Sequence, residues 1–236
     1  MGNPAHYSRD LPQRCMQLID DLWQYSTQIL QVNRPELGPL TSTFLLSMSI
    51  PIVSLPIERI ERHEAKRSEP YADDRAKSPR LSHRVRATLG SQPLRKAPFY
   101  SPGVWSFCEC PIFNIAERLS DDIAKSLASP EAHNKADKMQ TSQWCSILRN
   151  SLAHGGIVYL DQHGRYTYNG PVQMYLFVSG KYDKVDRAKL LSLYLLRIDQ
   201  TNYRKFLRDW VKWLGEEGVQ DIMKDLPRPP SILAAE

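Results

Sequence analysis

The chain lacks the short signatures of several common catalytic sites. Its 236 residues contain no G-x-x-x-x-G-K-[ST] phosphate loop, no G-x-G-x-x-G after a strand and no G-x-S-x-G elbow. Cysteine is scarce: Cys15, Cys108, Cys110 and Cys145 are scattered along the chain. Cys108 and Cys110 form a lone C-x-C with no second pair at zinc spacing, and His133 and His163 lie far along the chain. No metal or other cofactor is therefore expected. An apolar leader core is missing too, because Met1 to Gln13 is polar and carries two prolines. With so few cysteines, this reads as a cytoplasmic protein with reduced thiols.

Long uncharged runs are equally scarce. The exception, LGPLTSTFLLSMSIPIVSLPI from Leu37 to Ile57, has the length of a bilayer span. It also holds Pro39, Pro51 and Pro56, which would free backbone groups that lipid cannot satisfy. A buried helix from about Thr41, bent or broken near Pro51, is expected instead, with no membrane as partner.

What is present suffices for a core. Apolar residues make up 42% of the chain, and its length fits one domain over 1–236. The net charge of +5 permits an anionic partner without demanding one. Helical periodicity dominates. Cys15, Leu18, Ile19, Leu22, Trp23, Ile29 and Leu30 mark a first amphipathic helix. Ile112, Ile115, Ala116, Leu119, Ile123 and Leu127 predict another over 111–128, and Trp144, Ile147, Leu148 and Leu152 one that starts near Ala136. A last long helix is expected over about 184–214. The one β pattern, GIVYLDQHGRYTYNGPVQMYLFVSG, predicts a short hairpin or meander over 156–179. The expected class is mainly α with that small β insertion.

Residues 64–103 break the periodicity. They hold five prolines, and nine Lys or Arg against four acids. A segment of this kind is either a solvated insertion or an arm that neutralises phosphates. Under the second reading Arg84, Arg86, Arg95 and Lys96 contact RNA. Tyr71, Phe99 and Tyr100 are too sparse to argue for base stacking.

The densest chemistry lies in CSILRNSLAHGGIVYLD, residues 145–161. It reads as the end of a helix, two glycines and a strand, and it places Arg149, Asn150 and His154 together. Spacing alone is weak, since about one such Arg–His match is expected by chance in a chain of this composition. A helix end with a C-terminal histidine and a following glycine is also an ordinary structural cap.

Arg149-Asn150-Ser-Leu-Ala-His154 resembles the R-x4–6-H mark of the HEPN family, in particular a subfamily common on bacterial plasmids and in phage-defence loci. FLLSMSIPIVSLPIERI resembles the second helix of that subfamily. The resemblance implies an antiparallel helical bundle and a homodimer with a composite Arg–His cleft. It also implies a metal-independent endoribonuclease of the toxin–antitoxin or defence type, with an antitoxin protein as partner. The alternative is a non-catalytic scaffold, regulator or nucleic-acid binder. The residue chemistry agrees with cleavage. Histidine titrates near neutrality and serves as acid or base. Arginine presents a planar fork matched to phosphate oxygens, and Asn150 orients the imidazole or binds a non-bridging oxygen. On an ideal helix Arg149 and His154 are about 140° apart. They share a face within one chain only if the helix ends before His154, and Gly155 and Gly156 favour such an early end.

Overall fold

The computed structural model describes residues 8, 10–33, 40–58, 87–90, 92–117, 119–167 and 170–217. Helix α1 (Asp10–Gln24) forms where Cys15, Met16 and Ile19 fall on one buried face. Leu18 and Leu22, expected in that stripe, are 43% and 42% exposed. The apolar surface of α1 is therefore wider than the face its own core covers. A π turn, Tyr25–Ile29, leads from it into a last turn, Leu30–Asn33.

Helix α2 (Thr41–Ser49) starts at the expected residue and runs into a π turn at Ile50–Ser54 that contains Pro51. The proline lacks an N–H for the ladder and crowds the preceding turn, which is a named cause of such distortions. Thr41–Glu58 is long and apolar enough to cross a membrane by length and composition, but half of it is buried inside the protein. Leu45, Ile52, Val53 and Ile57 lie in the core.

Four strands and four more helices follow: β1 (Ser106–Cys110), α3 (Asp121–Ala128), α4 (Pro130–Lys138), α5 (Thr141–His154), β2 (Ile157–Leu160), β3 (Met174–Tyr182), β4 (Leu190–Asp199) and α6 (Gln200–Glu217). The strands form one antiparallel sheet in the order β1-β4-β3-β2. The protein is therefore mixed α/β, and the expected mainly α, HEPN-like bundle with only a short β insertion at 156–179 is overturned.

Two segments account for the difference. LLSLYLLRID, residues 190–199, is a strand against the helix expected there, paired on both edges and largely covered on both faces over 193–197. Such a strand reads as a continuous apolar run, which periodicity cannot separate from a buried helix. The expected helix over 111–128 shrinks to α3, whose start is set by Ser120. The Ser120 hydroxyl accepts the Ile123 N–H at 3.4 Å. The preceding SFCEC alternates inward and outward as the edge strand β1.

The sheet separates two cores. On one face Phe177, Tyr175, Leu196 and Ile198 join Trp144, Ile147 and Leu148 of α5, Tyr203, Phe206 and Trp210 of α6, and the buried residues of α1 and α2. On the other, Cys108, Cys110, Val158, Leu160, Leu176, Val178, Leu193 and Leu195 pack with Leu119 and Leu127. Residues 94–105 belong to the larger core, with Leu94, Phe99 and Trp105 nearly inaccessible. The Leu94 N–H donates to the Met139 carbonyl, and the Thr141 N–H and hydroxyl both donate to the Gln92 carbonyl. These bonds fasten the segment to the start of α5. Phe99, at the end of the basic proline-rich stretch, packs against Trp144, Phe206, Trp210 and Trp213.

Candidate functional site: the end of α5 and the sheet beside it

Helix α5 is held by its inner face. Trp144, Cys145, Ile147, Leu148, Ser151 and Leu152 are buried. The Ser151 hydroxyl satisfies a carbonyl of its own helix, Ile147, at 2.8 Å and the Val178 carbonyl of β3 at 2.9 Å. The chain then reverses. Gly155 takes the left-handed conformation at φ 69°, which closes the helix with its N–H on the Ser151 carbonyl. The Gly156 carbonyl accepts the Val178 N–H at 2.7 Å. A Cβ on Gly156 would lie 2.3 Å from the Val178 carbonyl oxygen, so the two glycines do different jobs. The first permits the turn, and the second permits contact with β3.

On this end stand the three residues singled out by sequence. Arg149 and Asn150 are half-buried and His154 is exposed. The Arg149 Nε and Nη2 both donate to the Asn150 Oδ1, at 3.3 and 3.2 Å. The Asn150 amide in turn donates to the Ser179 hydroxyl of β3 at 3.4 Å. Asn150 therefore orients the guanidinium and ties it to the sheet. No hydrogen bond joins His154 to Arg149 or Asn150, and the helix runs through His154, where ideal helical geometry sets the two positions about 140° apart around the axis. One chain brings Arg149 and Asn150 together and leaves His154 on a neighbouring face.

The sheet continues past this helix end. Ser179 faces Tyr194 of β4 across the ladder, Tyr194 faces Glu109 of β1, and Lys181 faces Ser192. Lys181 donates to the Glu109 carboxylate at 2.8 Å and sits 5.6 Å from the centre of the Tyr194 ring, while Ser192 donates to the same carboxylate at 2.6 Å. The lysine and serine bonds hold the Glu109 carboxyl below the usual range, and the same ion pair raises Lys181. Sequence reasoning missed Ser179, Lys181 and Tyr194 as neighbours of the site. The sequence carried no clear signal for them, because 190–199 reads as one apolar run and its pairing with β3 and β1 sets who neighbours whom.

The chain matches no family model, no curated protein and no solved structure. What it does must therefore be read from its own geometry.

The remaining candidates stand apart from α5. Arg95 and Lys96 are exposed on a 3-10 turn, Leu94–Lys96, while Arg84 and Arg86 lie outside the described residues. Cys108 and Cys110 point into the smaller core and are free thiols. Burial, with Cys110 beside it, pushes the Cys108 thiol up to about 12, so it stays protonated and a poor nucleophile or metal ligand at neutral pH. The His133 Nδ1 lies 2.8 Å from the Trp105 carbonyl, a contact that ties α4 to the chain entering β1. Among the described residues no three His, Cys, Asp or Glu side chains gather as a metal site would require.

Proposed function

We propose that the protein is a metal-independent endoribonuclease in which Arg149, Asn150 and His154 act at the end of α5. The observation that supports this reading is the guanidinium held by an adjacent amide, itself anchored to β3, on the same helix end as an exposed imidazole. That helix-end geometry carries the proposal, and the mixed α/β fold does not. RNA brings its own nucleophile in the 2′-hydroxyl. His154 moves the proton and Arg149 stabilises the negative charge that develops on the phosphorus oxygens.

The divergence of Arg149 and His154 gives the second copy a role. In a two-fold pair, Arg149 of one protomer and His154 of the other complete one cleft. The exposed Leu18, Leu22 and Tyr25 on α1 and its π turn leave apolar surface for such an association. In this reading the enzyme is cytoplasmic, serves a toxin or defence role, and has an antitoxin protein as its natural silencer.

The test is cleavage of RNA by purified protein. Wild type should cut RNA in the presence of EDTA, leave 2′,3′-cyclic phosphate ends and spare DNA, which lacks the attacking hydroxyl. His154→Ala should lose about 10²–10⁴ in rate, and Arg149→Ala about 10²–10³. His154 is exposed, so thermal unfolding of His154→Ala should change little. Wild type that leaves RNA intact under all these conditions would end the proposal.

A further inference from the structure

The geometry points to the β3–β4 hairpin as the arm that holds the RNA phosphodiester backbone beside the α5 site. This inference rests on the RNA reading above and names where the substrate lies. The two strands stay paired from Met174–Asp199 out to Tyr182–Leu190, well past the point where α5 ends against Val178. They therefore project as a two-stranded ribbon, and the ribbon is joined to the site through Ser179 and Asn150.

Its tip carries three cations against two acids, Asp183 and Asp186. Lys184, Arg187 and Lys189 are exposed, and none of them has an ion-pair partner among the described residues. The two acids of the tip hydrogen-bond backbone N–H groups of the loop. Asp183 accepts the N–H groups of Val185 and Asp186, and Asp186 accepts that of Ala188. The Asp183 N–H donates to the Lys189 carbonyl, and the Lys189 N–H to the Asp186 carbonyl. The three cations thus stand on a closed, hydrogen-bonded loop, and less ordering is needed when they meet a polyanion. Tyr182, 54% exposed at the base of the tip, offers a ring on which a base can stack. A nucleic-acid backbone is favoured over an apolar partner because the loop itself carries three cations without an ion-pair partner among the described residues beside one large exposed apolar side chain, Val185, with Tyr182 and Leu191 exposed on the strands below it.

The experiment measures binding apart from cleavage, using His154→Ala protein and a fluorescently labelled single-stranded RNA of about 20 nucleotides. Anisotropy titrations over a range of salt compare it with the same protein carrying Lys184→Gln, Arg187→Gln and Lys189→Gln. The triple change should weaken binding at least tenfold at low salt and flatten the log–log salt dependence by about 2, at ~0.7 per lost contact for three contacts. Arg187→Glu alone, at an exposed side chain with no hydrogen bond or ion pair among the described residues, should weaken binding in the same direction and guards against a folding effect of the triple change. Equal affinity and equal slope in all three proteins would overturn the hairpin while leaving the nuclease reading intact if wild type cuts. Hairpin-dependent binding with an inactive wild type would keep the arm and sink the nuclease. Hairpin-dependent binding to phosphatidylserine vesicles, with no binding to RNA, would overturn the arm in favour of a membrane surface.

Discussion

Two adjacent glycines decide whether Arg149 and Asn150 reach the sheet. Gly155 is strained for any other residue by its backbone angle alone, since open space surrounds its Cβ position. Gly155→Ala should cost about 1 kcal/mol, the usual size for forcing a left-handed conformation on alanine. Gly156 carries no angle penalty, but its Cβ would collide with the backbone of Val178. Gly156→Ala should therefore destabilise more than Gly155→Ala and should separate Asn150 from Ser179. Urea unfolding of the two variants checks the order, and the reverse order would mean that the α5–β3 junction is looser than described. At this scale the sequence was highly legible. The helix, its Gly155 cap and the neighbouring Arg149 and Asn150 follow from RNSLAHGG, but the helix runs through His154 instead of ending before it. What the sequence could not show is the partnering, because the bond from Asn150 to Ser179 spans 29 positions and depends on the register of a strand.

At the scale of elements, α1 and α6 are joined by charge at their surfaces. Arg204 and Arg208 both donate to Asp20 at 2.7 Å, and the Arg204 guanidinium also lies over the Trp23 ring at 4.3 Å. Partial burial pulls the Asp20 carboxyl upward, but the bonds from Arg204 and Arg208 outweigh it and hold it below its usual value. A carboxyl lowered on folding adds stability that is complete above its unfolded value, near 4, and is lost as pH falls through the folded value. The Asp20 share of the stability loss on acidification should therefore be missing in Asp20→Asn. Denaturant midpoints at pH 7 and pH 3 should differ less in that variant than in wild type, and an equal difference would show that the link contributes nothing. The elements also mark where sequence reading failed. The start of α2, its bend at Pro51 and the core face of α5 follow from composition and periodicity. β4 does not, since leucine-rich sequence favours helix and only pairing with β1 and β3 makes it a strand. β1 was hidden because five residues are too few to show a period against the apolar stretch that follows.

For the whole molecule the account turns on the second copy. Light scattering should give about twice the 27.1 kDa chain mass, and a monomer that cuts RNA would remove the need for a shared cleft. The most direct measurement mixes two inactive proteins, Arg149→Ala and His154→Ala, after each has been dissociated, and lets them reassociate. Every mixed pair holds one cleft with an intact Arg149 from one protomer and an intact His154 from the other. If the site is composite, RNA cleavage should return to about a quarter of the wild-type rate, because about half of random pairs are mixed and each has one of its two clefts whole. If the mixture stays as inactive as its components while wild type put through the same steps cuts RNA, the two residues do not meet across protomers and the composite site is wrong.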